Sequence, residues 1–233
     1  MSPSEPTILA FDTSVAHCAA ALLSGGRIVA QRYEEMAKGQ GERLIGLLGD
    51  VLDDHGAVWA DLDGIGVGIG PGNFTGIRIA VSAARGLALG LGVPAIGVSG
   101  FEILHRASAR TAESRHLVSL PHRGGYYLQE LLDGRHRGAA IAMTDTDVAP
   151  VLDDPTDTVI LGENAGDIAV LMEQADKPSA IYRDASVPWP KAAGLIAQIT
   201  ADRFATPQPR PAPLYIRAPD AAPPRDPAPV ILP

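Results

Sequence analysis

The residues best placed to do chemistry lie at one junction, Gly70-Pro71-Gly72-Asn73-Phe74-Thr75-Gly76, between an apolar strand over 64–69 and a helix over 75–91. Gly70 and Gly72 permit positive φ beside a proline that fixes its own φ and lacks a donor. Thr75 is placed to cap the helix through its hydroxyl. A strand, a glycine turn and a helix N-terminus aim free N–H groups and a dipole at the loop, chemistry suited to an anion. The plainer reading is a tight strand-to-helix connection, with Asn73 serving turn geometry. Known phosphate loops do not fit. After Gly76 the chain reads Ile77-Arg78 where a Walker loop needs Lys and Ser or Thr, and G-x-G-x-x-G fails in every frame.

The helix that follows has three faces. Ile77, Ala80, Ala84, Leu87 and Leu91 form an apolar stripe, and Arg78, Ser82 and Arg85 lie together elsewhere. Ser82, Gly86 and Gly90 recur every four residues, although a mid-helix Gly costs about 1 kcal/mol relative to Ala. Close approach of a second helix would offset that cost. A preceding helix over 42–54 has the stripe Leu44, Leu47, Leu48, Val51 and Leu52, with Gly46 and Gly49 inside it.

These helices sit in an α/β order. Strands over 7–13, 16–23 and 27–33, the last two joined at Ser24-Gly25-Gly26, precede helix 42–54, strand 64–69, helix 75–91 and strand 95–98. Three antiparallel strands, then helix, strand, helix and strand, form the ribonuclease-H-like layout. After a helix over 100–109 the pattern partly repeats. Strands are expected over 115–120, 126–132, 139–143 and 158–161, and helices over 163–175 and 191–204. Residues 144–157 read as loop where a helix would complete the repeat, so the second half is degenerate. The implied division is 1–100, 101–206 and a proline-rich tail over 207–233. Ten of the tail's twenty-seven residues are proline, and 213–217 is its one stretch apolar enough to dock as a strand.

The chain of 233 residues has a formal charge of 19 − 27 = −8, a poor balance for gripping phosphate backbones alone. Arg106, Arg110 and Arg115 could form a local basic patch touching RNA inside an assembly. The lone cysteine, Cys18, excludes an internal disulfide framework and reads as inert core. No basic leader precedes a long apolar run, and no stretch is read as approaching membrane-spanning length. A cytoplasmic protein without membrane contact is expected.

Ile8-Leu9-Ala10-Phe11-Asp12-Thr13-Ser14, the 70–79 segment GPGNFTGIRI, Pro94-Ala95-Ile96-Gly97-Val98-Ser99 and Leu214-Tyr215-Ile216-Arg217 occur in this order. With these motifs the chain resembles the TsaB (YeaZ) family, an accessory subunit of the bacterial tRNA threonylcarbamoyladenosine synthase. The resemblance is dense over 7–104 and sparse afterwards. It implies two actin-like (ASKHA) domains and a non-catalytic role beside TsaD, the homologous subunit that transfers the threonylcarbamoyl group to adenosine in tRNA. A TsaE-type ATPase would dock on that pair, tRNA would be met only through the complex, and the chain alone would form a homodimer. Two departures stand out. Leu120-Pro121-His122-Arg123-Gly124-Gly125-Tyr126-Tyr127 replaces a segment resembling D-A-R-R-G-E-V-Y, and Gly39 or Gln40 stands where the family often has His.

The resemblance also assigns residues. TsaD holds its metal with H-x-x-x-H, but no two of the six histidines here are four apart, and H-E-x-x-H is absent, so neither metal motif is present. Asp12 matches the residue that meets phosphates and magnesium in active actin-like ATPases; without a recognisable second phosphate loop it is read first as a turn and cap residue, with the magnesium role as the alternative. Asp12, Gly70, Gly72 and Thr75 are therefore the candidate nucleotide or anion site, with ATP or ADP as ligand and no cofactor required by the favoured reading. Family analogy puts the TsaD contact on the two glycine-bearing helices, through Arg43, Leu44, Leu47, Leu48, Val51, Arg78, Ser82, Arg85, Gly86 and Gly90. An actin-like nucleotide-binding ATPase and a metallopeptidase-type homologue are the competing functions.

Overall fold

A computed structural model describes residues 5–108, 115–144, 158–174 and 181–216. The first half runs β1 (Ile8–Asp12), β2 (His17–Ser24), β3 (Arg27–Glu35), α1 (Gln40–Asp53), β4 (Gly64–Gly68), α2 (Phe74–Leu91), β5 (Ala95–Val98) and α3 (Gly100–Ser108). Its sheet has the order β3-β2-β1-β4-β5, antiparallel across the first three strands and parallel across β1, β4 and β5. The second half runs β6 (Arg115–His122), β7 (Gly125–Leu132), β8 (Arg135–Met143), β9 (Thr158–Gly162), α4 (Ala165–Gln174), β10 (Ile181–Asp184) and α5 (Trp189–Arg203). Its sheet, β10-β9-β6-β7-β8, repeats the first strand for strand, with β6, β9 and β10 parallel. The fold is two ribonuclease-H-like domains of the actin-like class.

Period-two alternation in β1 divides the first core. Leu9 and Phe11 meet α1 and α2 on one face, while Ile8 and Ala10 meet Ile196 and Ala197 of α5 on the other. The glycine face of β4 lets α5 lie close, because a Cβ on Gly66 would clash with Thr200 and Ile196. The helices that close the two halves are thus exchanged. α3 follows β5 but packs on β6, and α5 follows β10 but packs on β1, β2 and β4. The 101–206 unit read from the sequence therefore gives α5 to the first sheet, because the apolar stripe of α5 matches the face that β1 and β4 leave open.

Other differences are local. β10 (IYRD) is short and polar and pairs only with β9 at the sheet edge, so no hydrophobic period announces it. β8 begins at Arg135 rather than 139, where its residues are exposed at the opposite edge. A short 3-10 turn at Trp59–Asp61 precedes β4. The loop expected over 144–157 lies outside the described residues from 145 onward. α2 corrects the reading that no stretch approaches membrane-spanning length: its 18 residues have a mean hydropathy of 1.3. Its inner face, Ile77, Ala80, Val81 and Ala84, is nevertheless buried on the sheet.

Residues 207–216 return to the first domain. Leu214 N–H donates to Ile69 O at 2.8 Å, and the Tyr215 ring packs on Phe74 with centroids 5.0 Å apart. The segment docks through this single main-chain bond without becoming a strand, and Arg217 lies outside the described residues.

Candidate functional site

Asp12 closes β1 and is 1% exposed. Its Oδ2 accepts from His17 Nε2 at 2.7 Å, Ser14 Oγ at 2.8 Å and Ser14 N–H at 3.2 Å. His17 is itself buried between the rings of Tyr33 and Trp189, with centroids 5.3 and 5.4 Å away. The other carboxylate oxygen is buried over Gly68, where an added Cβ would overlap it, and has no hydrogen-bond partner among the described residues. The carboxylate serves a sealed turn and has no face toward solvent.

The glycine loop is equally committed. Thr75 does not cap α2, as the sequence reading had it; the helix starts one residue earlier, and Asn73 Oδ1 accepts from the amides of Thr75 at 2.9 Å and Gly76 at 3.0 Å. Asn73 has the short acceptor geometry that the N-cap favours, which leaves the Thr75 side chain exposed. Asn73 N–H donates to Ser14 O at 2.6 Å, and Thr13 Oγ1 donates to Gly76 O at 2.7 Å. A Cβ on Gly72 or Gly76 would overlap the carbonyl oxygens of Ser14 or Thr13. Asp12, Gly72 and the α2 N-terminus do come together, and the Thr75 and Gly76 amides of the first turn are taken by Asn73. Gly72 and Gly76 are thus sites of close backbone-to-backbone contact. Asp12→Ala would strand the His17 and Ser14 donors and is expected to cost about 3 kcal/mol, read by urea unfolding.

In a second cluster the buried Ser99 and Glu102 meet the part-buried Arg203 and the more exposed His136. The Ser99 hydroxyl lies 2.9 Å from Glu102 Oε2 and 3.1 Å from His136 Nε2, while Arg203 donates to Glu102 Oε1 at 2.5 Å. Serine and carboxylate meet the same imidazole nitrogen (His136 Nε2 to Glu102 Oε2 is 3.1 Å), so no hydroxyl–imidazole–carboxylate relay is formed. The cluster ties α3 to β8 and α5. Burial pushes the Glu102 carboxyl upward, but the His136 bond, the charges of His136 and Arg203 and the Ser99 amide outweigh it. They lower the value from 4.5 to about 2. A depressed carboxyl stabilises the fold above its unfolded value and loses that contribution as pH falls. Between pH 4.5 and about 2 the chain should lose about 3 kcal/mol that Glu102→Gln does not lose, measured by unfolding at stepped pH.

The remaining candidates resolve simply. Arg106 pairs with Asp202 at 2.6 Å and Arg115 with Glu130 at 2.7 Å, so neither offers a free cation to RNA; Arg110 lies outside the described residues. Burial, then the charge of Glu34, pushes the Cys18 thiol up to about 11, away from nucleophilic chemistry. Among the described residues, no three His, Cys, Asp or Glu side chains gather as a metal site.

Burial divides the residues expected at the paired-helix surface. Leu44, Leu47, Leu48 and Val51 are at most 1% exposed and pack against the first sheet, so they cannot meet a partner. One stripe cannot both hold α1 to its sheet and face outward. Arg43 is taken by Glu34 at 2.7 Å and Asp50 at 2.6 Å. By contrast Arg78, Ser82, Arg85, Gly86 and Gly90 are exposed, and only 28% of the α2 window is buried. Leu89, which the sequence reading passed over, is 85% exposed between Gly86 and Gly90, and Ile45 of α1 is 50% exposed. Arg78 is held ready at the other end of α2, with its guanidinium 3.6 Å from the Phe74 ring and its Nε–H donating to Tyr215 Oη at 2.7 Å.

A family model described as "TsaD: tRNA N6-adenosine threonylcarbamoyltransferase" matches residues 32–136. An uncharacterized protein of Mycobacterium tuberculosis (strain H37Rv) is 31% identical over 224 residues, covering 93% of this chain and 94% of that protein. The Escherichia coli protein named tRNA threonylcarbamoyladenosine biosynthesis protein TsaB is 39% identical over 92 residues. That match covers 40% of this chain and 39% of the E. coli protein, so the likeness spans well under half of that relative. The solved structure of YeaZ from Pseudomonas aeruginosa is 28% identical, covers 85% of this chain and 93% of its own, and superposes with a TM-score of 0.62. The chain belongs to the TsaB (YeaZ) family. A ROK hexokinase from Thermus thermophilus, 15% identical over 83% of this chain and 97% of its own, has a TM-score of 0.54 and shares the fold. In this chain Asp12 is enclosed with His17, a pairing that only the five-residue spacing across the β1–β2 turn could have signalled.

Proposed function

We propose that this chain is a non-catalytic subunit of tRNA threonylcarbamoyladenosine synthesis that pairs with a TsaD-type transferase through the outer face of α2. The observation that carries the reading is the mismatch within α2: mean hydropathy is 1.3, yet only 28% of the window is buried. A helix of this composition left this open, with Leu89 85% exposed, supports an interaction surface here. The exposed Ser82, Gly86 and Gly90 row lets a partner backbone come close, and Leu89 and Arg78 supply the side chains that close on it. In this reading a TsaE-type ATPase docks on the pair, tRNA is met only in the assembly, and the same face closes a homodimer when the transferase is missing. In this reading no nucleotide is required of the chain, which the bonds of Asp12 Oδ2 to His17 and of the Thr75 and Gly76 amides to Asn73 support.

The test is reconstitution. Transferase and ATPase subunits are incubated with tRNA, an activated threonylcarbamoyl donor and ATP, and modified adenosine is quantified by mass spectrometry. Modification is expected with this chain and absent without it. Equal modification in both reactions would refute the reading. Calorimetry with ATP and magnesium on the chain alone is expected to show no tight binding; tight binding lost in Asp12→Ala would instead favour the nucleotide enzyme.

A further inference from the structure

The two helices that cover the outer face of the first sheet carry opposite charge. α1 holds three acids (Glu42, Asp50, Asp53) against one base (Arg43), a net of −2, whereas α2 holds two bases (Arg78, Arg85) and no acid, a net of +2. Glu42, Asp53, Arg78 and Arg85 are all exposed, and none has an ion-pair partner among the described residues. Phe74 and Tyr215 hold the Arg78 guanidinium in place but take only its face and its Nε–H. Both terminal nitrogens are left over among the described residues, a fork that matches a carboxylate.

β3 and β4 run the same way, as do β4 and β5, so α1 and α2, which connect them, run the same way side by side. A Cβ at Gly41 would lie 3.7 Å from Ile79 Cδ1, which sets residues 41 and 79 at one level. At the common helical rise, Ile45 is then level with residue 83, and Leu89 with residue 51. A twofold axis lying in this face along the helices keeps those levels and exchanges the sides, so α1 of one copy lies on α2 of the other. Glu42 then stands about 3 Å along the axis from Arg78. Ile45 enters the gap between Ser82 and Gly86, and Leu89 falls between Gly49 and Asp53. An axis across the helices would instead stack α1 on α1 and α2 on α2, acid on acid and base on base.

We infer that this helix layer is complementary to itself, and that a second copy of the chain seats on it with α1 against α2, Glu42 of each copy paired with Arg78 of the other. This pairing rests on the reading above of the α2 face as an interaction surface, to which it adds symmetry, register and charge. Like charges set opposite one another exclude the crossed arrangement, so charge selects the register as well as the partner.

The experiment mixes two charge reversals in the full chain. By sedimentation equilibrium, Glu42→Arg alone and Arg78→Glu alone should each dimerise at least about tenfold more weakly than the parent, since each sets two like-charge contacts across the axis. The two variants mixed in equal amounts should associate as the parent does, because both contacts are then opposite in sign. Arg78→Glu also gives up its contacts with Phe74 and Tyr215, so a second measurement leaves Arg78 in place. Under a copper–phenanthroline oxidant, an Ile45→Cys chain mixed with a Gly86→Cys chain should give a disulfide-linked dimer, and neither chain alone should; the buried Cys18 takes no part. Failure of the mixture to associate, in chains shown folded by circular dichroism, would overturn the pairing, as would Ile45→Cys linking to itself; either result leaves the α2 face open to a transferase. A parent chain that stays monomeric at millimolar concentration would overturn it too. A dimer that Gly86→Leu does not weaken would refute the face itself.

Discussion

Gly86→Leu is expected to leave the chain folded while weakening its pairing with a TsaD-type subunit by about 100-fold, a loss of about 3 kcal/mol. Nothing lies within 4 Å of a Cβ added at Gly86, so the substitution meets no obstacle in the free protein. Leucine is also the better helix former by up to about 1 kcal/mol, and the melting temperature should hold or rise by a few degrees. The bulk would instead be felt by a helix approaching along Ser82, Gly86 and Gly90. Leu47→Glu makes the informative contrast. Leu47 is fully buried, and a carboxylate there should unfold the first domain, at a cost above about 4 kcal/mol. Both variants lose pairing, but circular dichroism should show a folded chain for only one. A Gly86→Leu chain that pairs normally removes this face of α2 from the contact.

The second large effect belongs to the loop. Gly76→Ala is expected to destabilise the protein by about 3 kcal/mol, because the new Cβ overlaps the Thr13 carbonyl oxygen and both atoms belong to fixed backbone. The Thr13 hydroxyl bond to Gly76 O must stretch or break at the same time. If these glycines served an anion instead, Gly76→Ala would leave stability near that of the parent and change only ligand binding. Urea unfolding distinguishes the two outcomes directly.

What could be read from the sequence follows from where each signal originates. The strand and helix order of the first half was legible because β1, β4 and α1 have strong apolar periods bounded by glycine or polar turns. β10 was not, since IYRD sits exposed at a sheet edge and needs no apolar face. The candidate site was harder. A buried leucine stripe and an exposed small-residue row are both apolar patterns, and only burial separates Leu47 from Gly86. Likewise Gly72 and Gly76 look alike whether an anion or a neighbouring carbonyl fills the space beside them; the proximity of Thr13 and Ser14 is tertiary. The exchange of α3 and α5 between the sheets is a matter of topology, which propensity and period do not encode.

The claim that the outer face of α2 closes on a catalytic relative is tested most directly by thiol protection at that face. In a Ser82→Cys chain the new thiol is exposed, while Cys18, buried and with its thiol raised to about 11, stays silent as an internal control. Alkylation of the Ser82→Cys thiol should be fast in the free chain when dilute enough to be monomeric. Saturating transferase subunit should slow it at least about tenfold, as burial of an exposed thiol requires. An unchanged alkylation rate in a demonstrated complex would contradict the account.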